Sequence, residues 1–334
     1  MTLLAYLAII PPMHESSSAR YSQNPALDTM IIYNSHAGDK DRSREVEAAA
    51  KRLQGYGGRV EVSLTLAPGH ATELTREARE QGYSQIMVAG GDGTFREAAT
   101  AAVHSGLIIG LLPTGYEEIW RREAKIPKDL LRAVDLAVTG RVQLIDTGRI
   151  NGILFVFDAG IGADAQVVHG VQQPGLVKDG KGLLRYLDEA RRVLPKYRGL
   201  PASLTIDRET FDIDNFYQLW VNNSQNLARI KVREDARVDN GIFAITIVSG
   251  KKLSELLIPG AISFVRKKNT NKVVLTVGSN IQVDFSQKRL RKAQVDGDPV
   301  AASSQFDISL SPASLYVRVP NRENVIYSRL PISR

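Results

Sequence analysis

One stretch constrains the fold more than any other: Gln85-Ile86-Met87-Val88-Ala89, then Gly90-Gly91-Asp92-Gly93-Thr94, then Phe95-Arg96-Glu97. The first five residues read as a buried strand, and a helix-like run, Phe95 to His104, follows the glycines at once. Glycines between a strand and a helix let backbone N–H groups come close to a ligand, and the helix N-terminus adds partial positive charge. Asp92 puts a carboxylate in the same loop. A phosphate site beside a carboxylate points to a metal–nucleotide complex.

The flanking pattern extends this unit. Met30–Tyr33 is a short apolar strand, Arg42–Leu53 has helical spacing, Arg59–Leu66 alternates as a strand and Gly69–Gln81 reads as a helix. The glycine loop follows, then a helix over Thr94–His104 and a strand over Leu107–Leu112. Alternating strands and helices predict a parallel sheet covered on both faces, with ligands bound beyond the carboxyl ends of the strands. The loops Asn34–Lys40, Gly90–Thr94 and Pro113–Glu118 lie there. After about residue 140 short strands dominate: Val142–Thr147, Ile153–Phe157, Ser203–Ile206, Phe216–Val221, Phe243–Val248, Val273–Val277, Ile281–Phe285, Phe306–Leu310 and Leu315–Val319. One helix, Leu183–Leu194, interrupts them. The expected architecture is therefore α/β plus all-β: an N-terminal parallel-sheet nucleotide-binding α/β domain over 28–140, and a C-terminal antiparallel β-sandwich domain over 141–320, with a cleft between them. Residues 321–334 are read as a tail. Residues 1–27 are read as a disordered or weakly packed extension, because the apolar run Thr2–Ile10 is too short to span a bilayer and Pro11-Pro12 end it. A peripheral membrane anchor is the other reading of that segment.

Composition narrows the chemistry. The 334 residues contain no cysteine, which excludes disulfides, thiolate catalysis and cysteine-ligated zinc. The five histidines are scattered without ligand spacing. A net charge of +7 suits anionic partners such as nucleotides or an anionic membrane surface. Basic groups at Arg121-Arg122-Lys125, Arg191-Arg192-Lys196-Arg198, Arg266-Lys267-Lys268 and Lys288-Arg289-Arg291-Lys292 read either as solvated surface or as attraction to lipid headgroups. No basic tract is interleaved with aromatics, which disfavours nucleic acid.

Further motifs run in order along the chain. Gly90-Gly91-Asp92-Gly93-Thr94 with Glu97 resembles the signature of the diacylglycerol kinase catalytic-domain family, which includes bacterial lipid kinases and the sphingosine and ceramide kinases and is distantly related to NAD kinases. Asn34-Ser35-His36-Ala37-Gly38 resembles that family's Asn-Pro-x-Ala/Ser-Gly loop, and Thr65 with Pro68-Gly69-His70-Ala71 its Thr-x-x-x-Gly-x-Ala opening of a helix. Phe157 to Ala165 is similar to its glycine-rich segment ending in Asp-Ala. Val221-Asn222-Asn223, Asp239-Asn240-Gly241 and Asp296-Gly297-Asp298 are similar to its asparagine strand, its Asp-Asp-Gly turn and its Asp-Gly-Glu/Asp motif.

The resemblance implies a two-domain lipid kinase that uses ATP and Mg2+ to phosphorylate the hydroxyl of a diacylglycerol-like or sphingoid lipid. It implies that Asp296 is the general base and that Asp298 supports metal or geometry. Gly90, Gly91, Gly93 and Thr94 would hold phosphates, with Thr65, Glu97 and Gly115 in the same nucleotide site. Asp92 would face Mg2+, Asn34 and Lys40 would reach the nucleotide, and Asp239 would bind a structural Mg2+. The expected setting is cytoplasmic, with contact at the inner membrane surface where the lipid lies; a homodimer is left open. Read alone, Asp296-Gly297-Asp298-Pro299 is a hairpin turn, Lys40 a solvated charge, and Asp164 a cap for the helix that follows.

One loop departs from the family. Where it has Pro-x-Gly-Thr-x-Asn-Asp, this chain has Pro113-Thr114-Gly115-Tyr116-Glu117-Glu118-Ile119. Glu118 adds charge near expected phosphates, where like charges repel. The alternatives are an active kinase with a rearranged loop, a catalytically impaired relative that binds nucleotide or lipid, and an NAD kinase.

Overall fold

A computed structural model describes residues 28–115, 119–172, 182–227, 230–231, 236–257 and 268–321. The extension 1–27, the loop residues Tyr116, Glu117 and Glu118, the basic pair Arg266-Lys267 and most of the tail lie outside the described residues.

The α/β half begins with β1 (Thr29–Tyr33), α1 (Ser43–Gln54), β2 (Val60–Leu64), α2 (His70–Glu80), β3 (Gln85–Gly90), α3 (Asp92–Ala102) and β4 (Ile108–Pro113). All four strands pair in parallel, in the order β2-β1-β3-β4. The apolar runs of β1, β3 and β4 are buried throughout, because helices cover both faces; β2, at the edge, is half exposed. Right-handed crossovers in this order put α1 on one face and α2 and α3 on the other. Between β1 and β3 the direction of winding reverses, and such a switch point opens a crevice at the carboxyl ends of the strands.

Two helices not anticipated from the sequence follow: α4 (Ile119–Glu123) and α5 (Leu130–Thr139). Asp129 caps α5 by accepting from Arg132 N, and α5 packs beside α1, where Arg52 pairs with Asp135 at 2.6 Å. Helix α3 starts at Asp92, two residues before the sequence reading, so Asp92, Gly93 and Thr94 form its first turn and not a loop.

The β-rich half comprises β5 (Arg141–Ile150), β6 (Ile153–Phe155), β7 (Asp158–Gly162), α6 (Ala163–Val171), α7 (Gly182–Val193), β8 (Leu200–Ile206), β9 (Glu209–Asn222), β10 (Asn226–Leu227), β11 (Ile230–Lys231), β12 (Phe243–Ser249), β13 (Val273–Gly278), β14 (Asn280–Phe285), β15 (Arg291–Val295), β16 (Asp298–Ser303) and β17 (Gln305–Val319). Among the described residues two α-helices interrupt the strands, where the sequence suggested one. Pairing here is antiparallel. Strand β9 lies first beside β8 and then between β7 and β12, so the sheet turns a corner and encloses a core of alternating residues such as Phe155, Ile161, Leu219, Phe243, Phe285 and Phe306.

The strands expected over Phe306–Leu310 and Leu315–Val319 are one strand. Pro312-Ala313-Ser314 reads as a turn, but it is an irregularity inside β17, held where Ala313 N donates to Asp146 at 2.7 Å. Beyond it β17 returns to the α/β half, pairing in parallel with β4 and antiparallel with β5. The chain thus crosses from one half to the other at Gly140 and crosses back in its last described strand, in a single mixed sheet.

Candidate active site

The switch point brings three loops together. Asn34, at the end of β1, donates from Nδ2 to Thr94 Oγ1 at 3.0 Å, and its Oδ1 accepts from His36 N at 3.0 Å. Thr94 is buried in the first turn of α3. A methyl on Gly90 would lie 2.8 Å from Thr94 Cβ, and one on Gly115 would lie 2.6 Å from Gly91 Cα. Gly38 has φ +91° and a methyl there would meet Thr114 O at 2.2 Å. The glycines therefore serve the packing of the loops on one another as much as the approach of a ligand. The result is a floor of backbone below the N-terminus of α3, where helix N–H groups without intrahelical partners and the helix dipole favour an anion.

The other expected nucleotide residues have different partners. Lys40 is exposed and pairs with Glu45 at 3.3 Å. Thr65 is buried and its N–H donates to Tyr33 O at 2.8 Å. Glu97 accepts from Ala71 N at 3.3 Å, and its carbonyl accepts the Thr72 hydroxyl at 2.7 Å, which fastens α2 to α3. Asp92 accepts from Ile119 N at 2.7 Å and from Trp120 N at 3.1 Å, so both its oxygens cap α4. Asp239 accepts from Arg237 Nε at 3.1 Å and Gln143 Nε2 at 3.0 Å; a guanidinium stands beside it. Among the described residues no group of three or more His, Asp or Glu side chains is arranged to hold a metal ion. Asp92 and Asp239, expected from the resemblance to face Mg2+, each accept from protein donors, and Glu118 lies outside the described residues.

From the β-rich half the hairpin β15–β16 reaches the floor. Asp296 has φ +49° and Gly297 φ +83°, the two left-handed residues of a tight turn between paired Val295 and Asp298. Its two carboxylates face different ways. Asp296 has no exposed side-chain surface and accepts from the N–H groups of Val156, Phe157 and Asp158 at 2.9, 2.8 and 3.0 Å. Burial pushes it up to about 6, against the pull of those N–H groups and of Arg96. Asp298 keeps 31% of its side chain exposed and accepts from Arg96 Nη2 at 2.7 Å. A methyl on Gly93 would lie 3.5 Å from Asp298 Oδ2. In this placement both oxygens of Asp296, the base expected from the resemblance, accept backbone N–H groups, and its side chain has no exposed surface. Asp298 is the carboxylate that opens beside the glycine turn.

Residues 28–150 match the model of the diacylglycerol kinase catalytic domain. The match covers the α/β half and its junction with the β-rich half, and the chain is similar there to the diacylglycerol kinase catalytic domain. A diacylglycerol kinase from Bacillus subtilis strain 168 is 25% identical over 272 residues, which is 80% of this chain and 88% of the relative. A diacylglycerol kinase from Staphylococcus aureus strain RF122 is 28% identical over 229 residues, 68% of this chain and 72% of that one. In fold, the chain is similar to a candidate diacylglycerol kinase solved from Bacillus anthracis strain Sterne, with a TM-score of 0.74, 19% identity, and coverage of 90% of this chain and 99% of that one.

Behind the hairpin lies a buried acid network that motif spacing did not reveal. Gln294 Nε2 donates to Asp158 at 2.6 Å and to Asp164 at 3.4 Å, while its Oε1 accepts from Gly297 N at 2.8 Å. Asp164 does not cap α6; it accepts from the Tyr186 hydroxyl of α7. Arg96, which bridges α3 to both hairpin carboxylates, was also missed, since a single arginine in a helix reads as solvated charge. Burial, with the charge of Asp296 beside it, pushes Asp158 up to about 8. The folded state then holds a proton that the unfolded chain gives up near pH 4, so stability is greatest at the acid end of this window and falls as pH rises toward 8, by up to about 1.4 kcal/mol per pH unit. Asp158→Asn mimics the neutral acid and is expected to flatten that slope in urea denaturation between pH 5 and 8. A slope identical to the parent's would show that Asp158 is ionised throughout.

Proposed function

We propose that the chain is an ATP-dependent lipid kinase, transferring the γ-phosphoryl group to the hydroxyl of a diacylglycerol-like or sphingoid lipid. The observation that carries this reading is the meeting of the two halves at Gly93: a glycine-lined backbone floor from the α/β half and an accessible carboxylate, Asp298, from the β-rich half. Phosphoryl transfer needs positioning and charge neutralisation more than covalent chemistry; the N–H groups of such a floor supply donors to the phosphates, and the adjoining carboxylate can position an acceptor hydroxyl. The similarity to the Bacillus and Staphylococcus kinases supports the same class of reaction. The floor fits the phosphates of ATP, with Asn34 and Thr94 holding its shape. On this reading Mg2+ enters with the nucleotide.

The acceptor is met at a membrane surface. None of the helices among the described residues is long and apolar enough to cross a bilayer. Helix α7 presents Leu184 and Leu187, 65% and 45% exposed, with Arg191 and Arg192 in its last turn, a composition suited to an anionic interface.

Labelled ATP with Mg2+ and a panel of diacylglycerol, ceramide and sphingosine vesicles tests the proposal. The expected result is one phosphorylated lipid, together with a thermal shift on adding ATP–Mg2+. Neither product nor shift with any acceptor removes the kinase reading. A shift without product supports the second reading, a relative that binds nucleotide without turnover, which the capping of α4 by Asp92 favours. Product formed from NAD in place of lipid would make the chain an NAD kinase.

A further inference from the structure

We infer that a second cavity, where the chain crosses between its two halves, binds a phosphate monoester at a site separate from the glycine floor. The cavity has a volume of about 360 Å3 and is bordered by Lys125, Arg141 and Arg237, with Glu123 and Asp239 beside them. Trp120, Val238 and Pro320 complete its wall. Pockets for small molecules begin at about 300 Å3 and join apolar walls to a few convergent polar groups. No described residue of the glycine floor or of the hairpin turn borders this one. Helix α4 links the two sites: Asp92 caps its start beside the floor, and Glu123, at its other end, borders the cavity.

The polar groups of this cavity suit an anion. Asp239 is engaged at both oxygens: Oδ1 accepts from Arg237 Nε at 3.1 Å, and Oδ2 accepts from Gln143 Nε2 at 3.0 Å and Arg237 Nη2 at 3.4 Å. Gln143 Oε1 accepts from Arg141 Nη2 at 2.7 Å. One relay therefore orients both guanidinium groups. A guanidinium carries five N–H donors, and Arg237 spends two of them on Asp239. Its Nη1 has no partner among the described residues. Trp120 is 1% exposed, and its indole Nε1 has no hydrogen-bond acceptor, an uncommon state for a buried donor. Three cations to two carboxylates leave the cavity net positive, which favours an anion over a metal ion. A phosphoryl group matches the forked donors of arginine. The volume leaves room beyond it for a small organic part against Trp120, Val238 and Pro320. A ligand seated here touches α4, β5 and the end of β17, and so braces the junction of the two halves.

The chain has two tryptophans, so Trp220→Phe in the full chain leaves Trp120 as its one indole reporter. This protein is titrated with inorganic phosphate, with glycerol 3-phosphate, and with phosphatidylcholine vesicles containing phosphatidic acid, each with and without excess ATP–Mg2+. The expected result is a saturable change in Trp120 fluorescence that ATP–Mg2+ does not displace. Saturation by the soluble ester identifies a free phosphate monoester, and saturation by the vesicles alone a lipid headgroup; either supports the site. Lys125→Gln and Arg237→Gln, made in the same background, are expected to raise Kd by about tenfold or more, the worth of one charge-assisted hydrogen bond, with Tm unchanged. If ATP–Mg2+ displaces the signal, the anion sits on the glycine floor and the inference is wrong. It is wrong also if Mg2+ alone gives the change, if no anion gives one, or if both variants keep the parental affinity. A chain that binds the ester but no ATP keeps this site and loses the kinase reading.

Discussion

Replacing Asp296 by alanine is expected to destabilise the fold by roughly 3–5 kcal/mol, because it leaves three buried N–H donors without an acceptor and each such loss costs about 1–3 kcal/mol. The donors belong to Val156, Phe157 and Asp158, the short link between β6 and β7, so the damage falls on the core beneath Phe157. Phe157 stacks on Phe95 and Trp120, at 6.3 and 6.4 Å between ring centroids, and these rings pack the β-rich half against α3 and α4. Part of the loss is offset, since burial disfavours the charged carboxylate that the substitution removes. Asp296→Asn keeps a residue that tolerates the left-handed turn and retains one acceptor oxygen; a smaller cost of about 1–2 kcal/mol is expected. Urea denaturation of both variants beside the parent measures the anchoring role of Asp296. An Asp296→Ala chain as stable as the parent would show that the three N–H groups find other acceptors.

Gly115→Ala is expected to weaken ATP–Mg2+ binding tenfold or more. The added methyl would sit 2.6 Å from Gly91 Cα and 3.1 Å from Gly91 N, both backbone atoms that no rotamer change can move. Either the loop after β4 or the turn after β3 must shift, and the floor they share loses its shape. Overpacking of this kind also costs about 1–3 kcal/mol of stability, so a control is needed. Gly106 has φ +85° and nothing within 4 Å of an added methyl. Gly106→Ala should therefore cost stability, through backbone strain alone, and leave nucleotide affinity as it was. Calorimetry of the three proteins decides it. Parental affinity in Gly115→Ala would place the nucleotide away from this contact.

The α/β half was legible because its strands are continuous apolar runs and its loops carry glycines in a fixed order. Strands β1 and β3 fall within one residue of their expected bounds. Helix α5 was not read, although its cap Asp129 stands in front of an apolar stripe, because it follows the altered loop, where the family pattern gives no guide. The motif positions in the site were legible and the directions of their side chains were not. Asp296 and Asp298 are separated by one glycine, and which of them faces the floor depends on N–H groups 138 to 140 residues away. Arg96 and Asp298, 202 residues apart, meet only because β17 and the hairpin fold back on α3. The continuous β17 was hidden for a similar reason: Pro312-Ala313-Ser314 has turn residues locally, and distant groups, the carboxylate of Asp146 and the hydroxyl of Thr147, hold the irregularity within one strand.

The return of β17 to the side of β4 has a consequence for synthesis. The four parallel strands are all made early, yet the free edge of β4 pairs with Tyr316 and Val317. While the chain emerges from the ribosome, that edge stays uncovered until nearly the whole β-rich half has been translated. An isolated N-terminal fragment would carry the same bare edge, open to pairing with other chains. The α/β half, though contiguous in the early part of the sequence, is in this respect the last part of the protein to be finished.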